Sequence, residues 1–566
     1  MYKGIAGSDG IVIDCVYKLK QPELNIIKKD CVKDQEIDKF KIGLEKTTLD
    51  IENIKIKASN NLKEEDLAIF DAHLMMVNDP EFKDQVINMI NEQSCNVEFA
   101  IKSVGDMMAT MFESMDDAYF KERAADIKDI TFRLCCNILE IEIPDLTILD
   151  KPYIIVAEDL SPSDIASVNK DYLLGFVTEV GGRTSHSAIV ARSLEIPAVV
   201  GVKGIMDVIN TDDLVALDGA TGEVVVNPDH TVLESYKNKL KELNKEKDLL
   251  KVLKEEKSIT LDGFQVELAG NIGNSKDIDA VINNGGEGVG LYRTEFLYMD
   301  KPNDFPSEDE QFEAYKVVLE QMGSKRVVIR TLDIGGDKTL PYFKFPAEMN
   351  PFLGYRAIRL CLDRQDIFIT QLRALIRASV YGRLAIMFPM IATIEEFLSA
   401  KDLFNKTKES LINEGHKVSD NIELGLMIEI PAAAICADVF AKHADFLSIG
   451  TNDLIQYSMA TDRMSEKVSY LYQPLNPSIL KLIKLTIDGG HSAGKWVGMC
   501  GEMAGDYKAI PILIGLGLDE FSMSASSILK ARDIIRKLSK KEMEILANKA
   551  LLMESEVDVL KLLSMF

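Results

Sequence analysis

The sequence predicts an α/β chain of several domains: an α/β domain interrupted by an all-helical insertion, followed by a (β/α)8 barrel. Three observations carry this. Over the last 300 or so residues a short apolar run, polar groups at its end and a helical periodicity recur eight times. Between Glu36 and Ile143 strand-like runs are rare, and apolar residues return at helical spacing. Strand-like runs flank that helical block on both sides, as they would around an insertion. The boundaries that follow are 1–32 and 147–229 for the α/β domain, 33–146 for the insertion, 230–258 for a linker helix and 259–566 for the barrel.

The chain opens with a turn, Ala6-Gly7-Ser8-Asp9-Gly10, and a strand candidate from Ile11 to Val16. In the helical block Ile37, Phe40 and Leu44 form one apolar set. Ile51, Ile54 and Ala58 form a second, and Leu67, Phe70, Leu74 and Val77 a third. Met107, Met111 and Met115 fall at i, i+4 and i+8, with Met108 and Phe112 alongside. Such a stripe reads first as bundle core. The sharper alternative is an adaptable partner groove, which methionine suits.

The α/β domain resumes at Tyr153 to Ala157. It continues through Gly175 to Val180, Ala198 to Gly201, Asp213 to Asp218 and Glu223 to Val226. Between the second and third of these runs lies Gly181-Gly182-Arg183-Thr184-Ser185-His186-Ser187-Ala188. The double glycine permits a sharp turn, and Thr184 and Ser185 are helix N-cap types. Ala188 to Glu195 reads as a short helix stopped before Pro197. His186 then sits at a helix start, where free N–H groups favour an anion, and a neutral imidazole is a nucleophile near neutral pH. Thr231 to Lys257, rich in lysine and glutamate, reads as a solvated linker helix.

The eight barrel runs are Phe264 to Ala269, Gly288 to Tyr292, Val327 to Ile329, Leu384 to Met387, Leu424 to Ile428, Phe446 to Ile449, Trp496 to Met499 and Glu520 to Met523. Barrels of this kind carry their chemistry at the C-terminal ends of the strands. Those ends hold Arg293, Arg330, Glu429, the pair Asn452 and Asp453, and Cys500, with Arg356 and Arg463 in nearby loops. Converging arginines make a clamp for carboxylate and phosphate oxygens. Glu429 and Asp453 are two hard oxygen ligands, a sparse set of the kind Mg²⁺ prefers. Asn452 can donate to an oxyanion, and a shielded Cys500 thiol can supply a proton. Singly, each reads as a rim salt bridge or inert packing; five compatible strand ends read as a site.

The string from Gly181 to Arg192 resembles the phosphohistidine signature of the phosphoenolpyruvate-utilising enzymes. Arg183, Thr184-Ser185 and Ser187 are similar to the enzyme I group of the bacterial sugar phosphotransferase system. So are the barrel strings Leu291-Tyr292-Arg293-Thr294-Glu295-Phe296 and Asn350-Pro351-Phe352-Leu353-Gly354-Tyr355-Arg356. Asp71-Ala72-His73-Leu74-Met75-Met76 resembles that group's carrier-binding helices. The resemblance implies a swivelling phosphohistidine domain, a carrier-binding insertion and a phosphoenolpyruvate-binding barrel. It implies that His186 attacks through Nε2 and becomes phosphorylated, that Arg293, Arg330, Asn452, Asp453 and Arg463 bind substrate, and that Mg²⁺ sits on Glu429 and Asp453. A small histidine phosphocarrier protein would then take the phosphoryl group, as the first step of sugar uptake. It further implies a homodimer through the barrel.

Composition narrows the alternatives. A net charge of −25 disfavours nucleic acid and acidic membranes as partners and favours a basic protein. No apolar run approaches membrane-spanning length, and Met1 leads directly into a strand-like segment, so neither a span nor a secretory leader is expected. Eight scattered cysteines without a CxxC pair fit a reducing cytoplasm. The nearest rival enzyme, a dikinase, would need a nucleotide-binding domain, and the chain carries no P-loop. A regulatory binding protein on the same scaffold is the rival from another class.

Overall fold

The computed structural model describes the chain apart from residues 23, 59–69, 71–72, 114–117, 145, 147–148, 150, 161–163, 165–167, 169–171, 183–186, 189–190, 192–195, 300, 302, 337, 339, 341, 347, 463–464, 466 and 566, and apart from the side chains of 57–58, 113, 118–123, 125 and 246–247. It divides into two compact units, Met1–Lys245 and Glu246–Phe566.

The first unit is built on an eight-stranded mixed sheet. Its strands are β1 (Tyr2–Lys3), β2 (Ile5–Ser8), β3 (Ile11–Leu19), β4 (Tyr153–Ala157), β5 (Leu173–Thr178), β6 (Ala198–Val200), β7 (Leu214–Asp218) and β8 (Glu223–Val226), in the order β1-β8-β7-β3-β4-β5-β6-β2. Strands β3 to β6 run parallel. Every residue of β4 is buried, as a parallel strand covered on both faces requires. Ile155 and Ala157 enter one core cluster, and Ile154 and Val156 the other. The chain passes from β1 to β2, at opposite edges of the sheet, through Gly4. A Cβ there would stand 2.6 Å from the Val200 carbonyl oxygen, so the crossing needs glycine. The β5 run begins and ends two residues earlier than the sequence pattern suggested. Glu179 and Val180 instead turn back, with both backbone N–H groups bonding the Glu158 carbonyl and the Thr178 hydroxyl donating to Val180 O.

Among the described residues, the helices between β3 and β4 include α1 (Lys33–Ala58), α2 (Pro80–Gln93), α3 (Val97–Glu113) and α4 (Ala118–Leu139). Asp79 caps α2 by accepting from Phe82 N, with Pro80 in the first turn. Phe40, Ile51, Phe70, Val77, Val86, Ile101 and Leu134 make one buried core, which includes most of the apolar sets picked out by helical spacing. Leu67 of the third set lies outside the described residues. Helix α5 (His230–Val252) follows β8, and the division between the units falls within it.

The second unit is a closed barrel of eight parallel strands. They are β9 (Glu267–Ile272), β10 (Gly288–Arg293), β11 (Arg326–Arg330), β12 (Arg383–Phe388), β13 (Glu423–Ile428), β14 (Phe446–Ile449), β15 (Trp496–Met499) and β16 (Glu520–Met523), with β16 pairing back onto β9. Leu291, Val328, Met387, Met427, Phe446 and Cys500 fill the interior. Trp496 closes the N-terminal end. It stacks on Phe446 with centroids 4.4 Å apart, and the Arg326 guanidinium lies 3.6 Å from its ring. The first strand differs from the sequence expectation of Phe264 to Ala269. Val266 N bonds Ser258 O and Thr260 N bonds Phe264 O, so Phe264 to Val266 forms a small hairpin and the strand starts at Glu267.

Candidate active site at the barrel mouth

Strand endings place the polar groups. Arg293 and Arg330 are the last residues of β10 and β11. Glu429 follows β13 directly, and Cys500 follows β15. After β14 a helix spans Thr451–Met459, so Asn452 and Asp453 occupy its first turn. All six side chains line one cavity of about 540 Å³ at the C-terminal end of the barrel. Alternate inward-facing residues of parallel strands converge there, which is why groups more than 200 residues apart in sequence meet. Arg463 and His186, together with Arg183, Thr184 and Ser185, lie outside the described residues. Of the short helix expected after His186, residues 187–188 and 191 are helical.

The cavity wall is an ion-pair network. Arg330 Nη2 donates to Glu295 at 2.5 Å, and Nη1 lies 2.9 Å from Asp333. Lys338 Nζ sits 2.8 Å from Glu295 and 3.5 Å from Asp333. Arg356 Nη2 lies 2.8 Å from Asp333 and 3.6 Å from Asp453. Gly335, at φ +107°, folds the loop after β11 back onto Arg356; a Cβ there would stand 2.6 Å from the Arg356 Cβ. Arg330 Nε, Arg356 Nε and Glu295 Oε2 are buried without a hydrogen bond.

These arrangements set the charges. Burial opposes ionisation of Arg330 and Arg356, yet Asp333 and their other acidic neighbours hold both guanidinium pKa values above the ordinary arginine value. Burial likewise opposes ionisation of Asp333, but Arg330, Lys338 and Arg356 hold it well below the usual carboxylate range. Glu429 goes the other way. Burial first, then Asp453 and Asp333, push its carboxyl up to about 8, against the pull of Arg330 and Arg356. A divalent cation between Glu429 and Asp453 would relieve that repulsion, and carboxylate oxygens are the donors Mg²⁺ takes. The residues therefore fit the metal. Among the described residues no group of three or more His, Cys, Asp or Glu gathers as a metal cage.

Asn452 is tied down on both ends of its amide: Nδ2 donates to Glu502 at 3.2 Å, and Oδ1 accepts from Glu502 N at 3.1 Å. Cys500 is buried, and burial raises its thiol to about 12, so it stays protonated. Glu295, Asp333, Lys338 and Glu502 belong to the site yet carry no assigned role in the sequence reading. Their signal was the polar strings trailing β10, β11 and β15, in which all four stand.

The methionine stripe lies elsewhere, on the helical insertion. The core reading fails for Met107 and Met111, which are 53% and 49% exposed. With Met75, Met76 and Met108 they line a cavity of about 600 Å³, whose edge carries Asp79 and Glu81. Met115 lies outside the described residues.

Comparison with known proteins gives one answer along the chain. Residues 247–540 match the family described as PEP-utilising enzyme, PEP-binding domain; 3–123 match its N-terminal domain and 149–222 its mobile domain. A protein of Staphylococcus carnosus named phosphoenolpyruvate-protein phosphotransferase is 54% identical over 561 residues, 99% of this chain and 98% of the relative. One of Listeria innocua with the same name is 53% identical over 565 residues, 100% of this chain and 99% of the relative. A solution structure of an enzyme I protein (nEIt) is 41% identical, covering 43% of this chain and all of that one, with a TM-score of 0.40.

Proposed function

The chain belongs to the phosphoenolpyruvate-utilising enzymes, among the phosphoenolpyruvate-protein phosphotransferases, and from that premise we propose how its residues divide the reaction. It is a transferase that moves the phosphoryl group of phosphoenolpyruvate to a protein acceptor in the phosphotransferase system. The observation that supports the barrel half of this reading is one cavity lined by three arginines (Arg293, Arg330 and Arg356), by Glu429 and Asp453 among five carboxylates, by an anchored asparagine and by a protonated thiol. Arg293, Arg330 and Asn452 bind the charged groups of phosphoenolpyruvate, with Asp453 beside them and Arg463 as a further anion contact. Glu429 and Asp453 would hold Mg²⁺, which neutralises charge on the moving phosphoryl group.

His186 is the nucleophile. Its imidazole nitrogen forms a bond to phosphorus as the bridging P–O bond breaks, and the enolate of pyruvate leaves. Cys500 gives its S–H proton to the methylene carbon of that enolate, which completes pyruvate and leaves a thiolate. A histidine of a small phosphocarrier protein then takes the phosphoryl group from His186. The methionine-lined groove with its acidic edge suits a basic carrier face. His186 must reach the barrel mouth and the carrier in turn, as a swivelling domain would allow. All eight cysteines are unpaired, and no helix among the described residues is long and apolar enough to cross a membrane, which supports a cytoplasmic site of action. Family resemblance adds a homodimer through the barrel unit, which analytical centrifugation would test.

The primary experiment incubates the full chain with phosphoryl-labelled phosphoenolpyruvate and Mg²⁺ without nucleotide. Acid-labile, base-stable label on the wild type and none on His186→Ala is the expected result. Label that appears only with a nucleotide and phosphate would replace this reading with a dikinase.

A further inference from the structure

A second acid lies beneath the first, inside the barrel. Glu520, the first residue of β16, is 1% exposed, and neither of its carboxyl oxygens makes a hydrogen bond. An unpartnered carboxyl in a barrel core costs free energy and calls for a reason. Two neighbouring strands make room for it. A Cβ on Gly290 would stand 1.9 Å from Glu520 Oε1, and one on Gly498 would stand 2.2 Å from Oε2.

Polar groups continue from Glu520 toward the mouth. Ser522 Oγ lies beside the same vacant Gly290 position as Glu520 Oε1. It donates to Asn271 Oδ1 at 2.6 Å, and Asn271 Nδ2 donates to the Cys500 carbonyl at 3.1 Å. Ser448, which pairs in register with Gly498, places its hydroxyl beside the Cys500 sulfur. In the other direction Glu520 pairs in register with Glu267, which is bound to Arg326 and lines a cavity of about 500 Å³ at the N-terminal end of the barrel. These polar groups stand between the reacting thiol and the opposite face of the barrel, with the Glu520 carboxyl and the Ser448 hydroxyl unpartnered among them, in an interior otherwise lined by Leu291, Val328, Met387 and Met427.

We propose that Glu520 is the proton reservoir that restores the Cys500 thiol after each turnover, acting through Cys500 and never on substrate itself. The inference rests on the reading of Cys500 as the acid that completes pyruvate. The balance is simple. Cys500 S–H loses its proton to the enolate carbon and becomes thiolate. The Glu520 O–H proton passes to that thiolate through the Ser448 hydroxyl or a water molecule, leaving a carboxylate. Solvent at the Glu267 end returns one proton to Glu520. The direction is downhill, because burial raises the thiol to about 12 but the Glu520 carboxyl only to about 8. The groups that set the latter are burial, then Glu267 and Asp519, which favour the proton, and Arg326, which opposes it.

Two assays on the full-length enzyme separate a reservoir from a structural part. Net pyruvate release with excess phosphocarrier consumes one proton per cycle. Exchange of labelled pyruvate into phosphoenolpyruvate, without carrier, consumes none, since Cys500 gives a proton to the departing pyruvate and takes one from the methyl group of the incoming one. Glu520→Gln should lower steady-state net release at least tenfold while the first turnover and the exchange rate hold, and Glu520→Asp should recover part of the loss. In the wild type, the ratio of net release to exchange should fall as pH rises above about 8, where the reservoir empties. Undiminished net release in Glu520→Gln overturns the proposal, as does an equal fall in both assays, or a wild-type ratio flat with pH. Cys500→Ala at the wild-type rate would remove the Cys500 reading and the reservoir together. A slow Cys500→Ala with any of the preceding failures removes the reservoir alone.

Discussion

The Arg356 guanidinium donates to Asp333 across 2.8 Å, and both side chains are buried. Asp333 is also bound by Arg330 and Lys338, and Arg356 reaches on to Asp453. Removing Arg356 leaves buried carboxylates short of one counter-charge. Arg356→Gln should destabilise the barrel unit by about 3–5 kcal/mol, the usual result of breaking a buried pair from one side. A fall of several degrees in the barrel's thermal transition is the expected reading, and an unchanged transition would show that Arg330 and Lys338 suffice for Asp333.

Glu429 and Asp453 are proposed to bind Mg²⁺ without help from a third side chain. Glu429→Gln keeps the shape and removes one of two anionic ligands. Mn²⁺ binding, followed by electron paramagnetic resonance of the free ion, should weaken by about 10- to 100-fold. Phosphorylation of His186 should slow in parallel. Equal Mn²⁺ affinity in the variant would place the cation elsewhere.

The strand ends were legible in the sequence because a barrel obliges them to converge: Arg293, Arg330, Glu429 and Cys500 all sit at or just past the ends of their strands. The pairing among them was not legible. Which carboxylate meets Arg330 depends on the path of the loop after β11, fixed by Gly335 and its contact with Arg356, and no local spacing encodes that. The start of β9 was missed for a related reason. Phe264 to Val266 is apolar like a strand but bonds backward to Ser258 and Thr260. Helical periodicity placed the methionine stripe on one face of α3, but could not say whether another helix covers that face; Met107 and Met111 show that it stays open.

Cys500 should be chemically quiet. Its thiol is raised to about 12, whereas Cys436 is exposed. Only the thiolate is alkylated, so at pH 8 the reactive fraction of Cys500 is about 10⁻⁴. Iodoacetamide followed by peptide mapping should modify Cys436 readily and Cys500 at least about a thousandfold more slowly. Rapid loss of activity through alkylation at Cys500 would show a thiolate at rest, and with it a resting state unable to donate the proton.

Glu520 also gives the barrel a pH-dependent stability. Its folded carboxyl is raised to about 8 from 4.5, chiefly by burial. The stabilising contribution is full below about pH 4.5, where folded and unfolded chains are both protonated, and is lost as pH rises to about 8. Glu520→Gln removes this dependence. The transition temperature of the variant, measured against the wild type, should therefore climb between pH 5 and pH 8. A difference that stays constant over that window would mean that Glu520 is ionised in the folded barrel.

The groove on the helical insertion can be tested without touching the barrel. Met107 is half exposed, so Met107→Glu removes little buried surface and should change stability by no more than about 0.5 kcal/mol. It does add a charge to an apolar wall where a carrier face would pack. Phosphorylation of His186 from phosphoenolpyruvate should proceed at the wild-type rate, while transfer onward to the phosphocarrier drops about tenfold or more, as a central interface substitution does. A basic carrier would feel opposing effects, lost apolar contact against a gained attraction. Met107→Ser therefore serves as the neutral comparison, with a smaller loss expected from contact alone. Wild-type transfer by both variants would move the carrier's docking face off this groove.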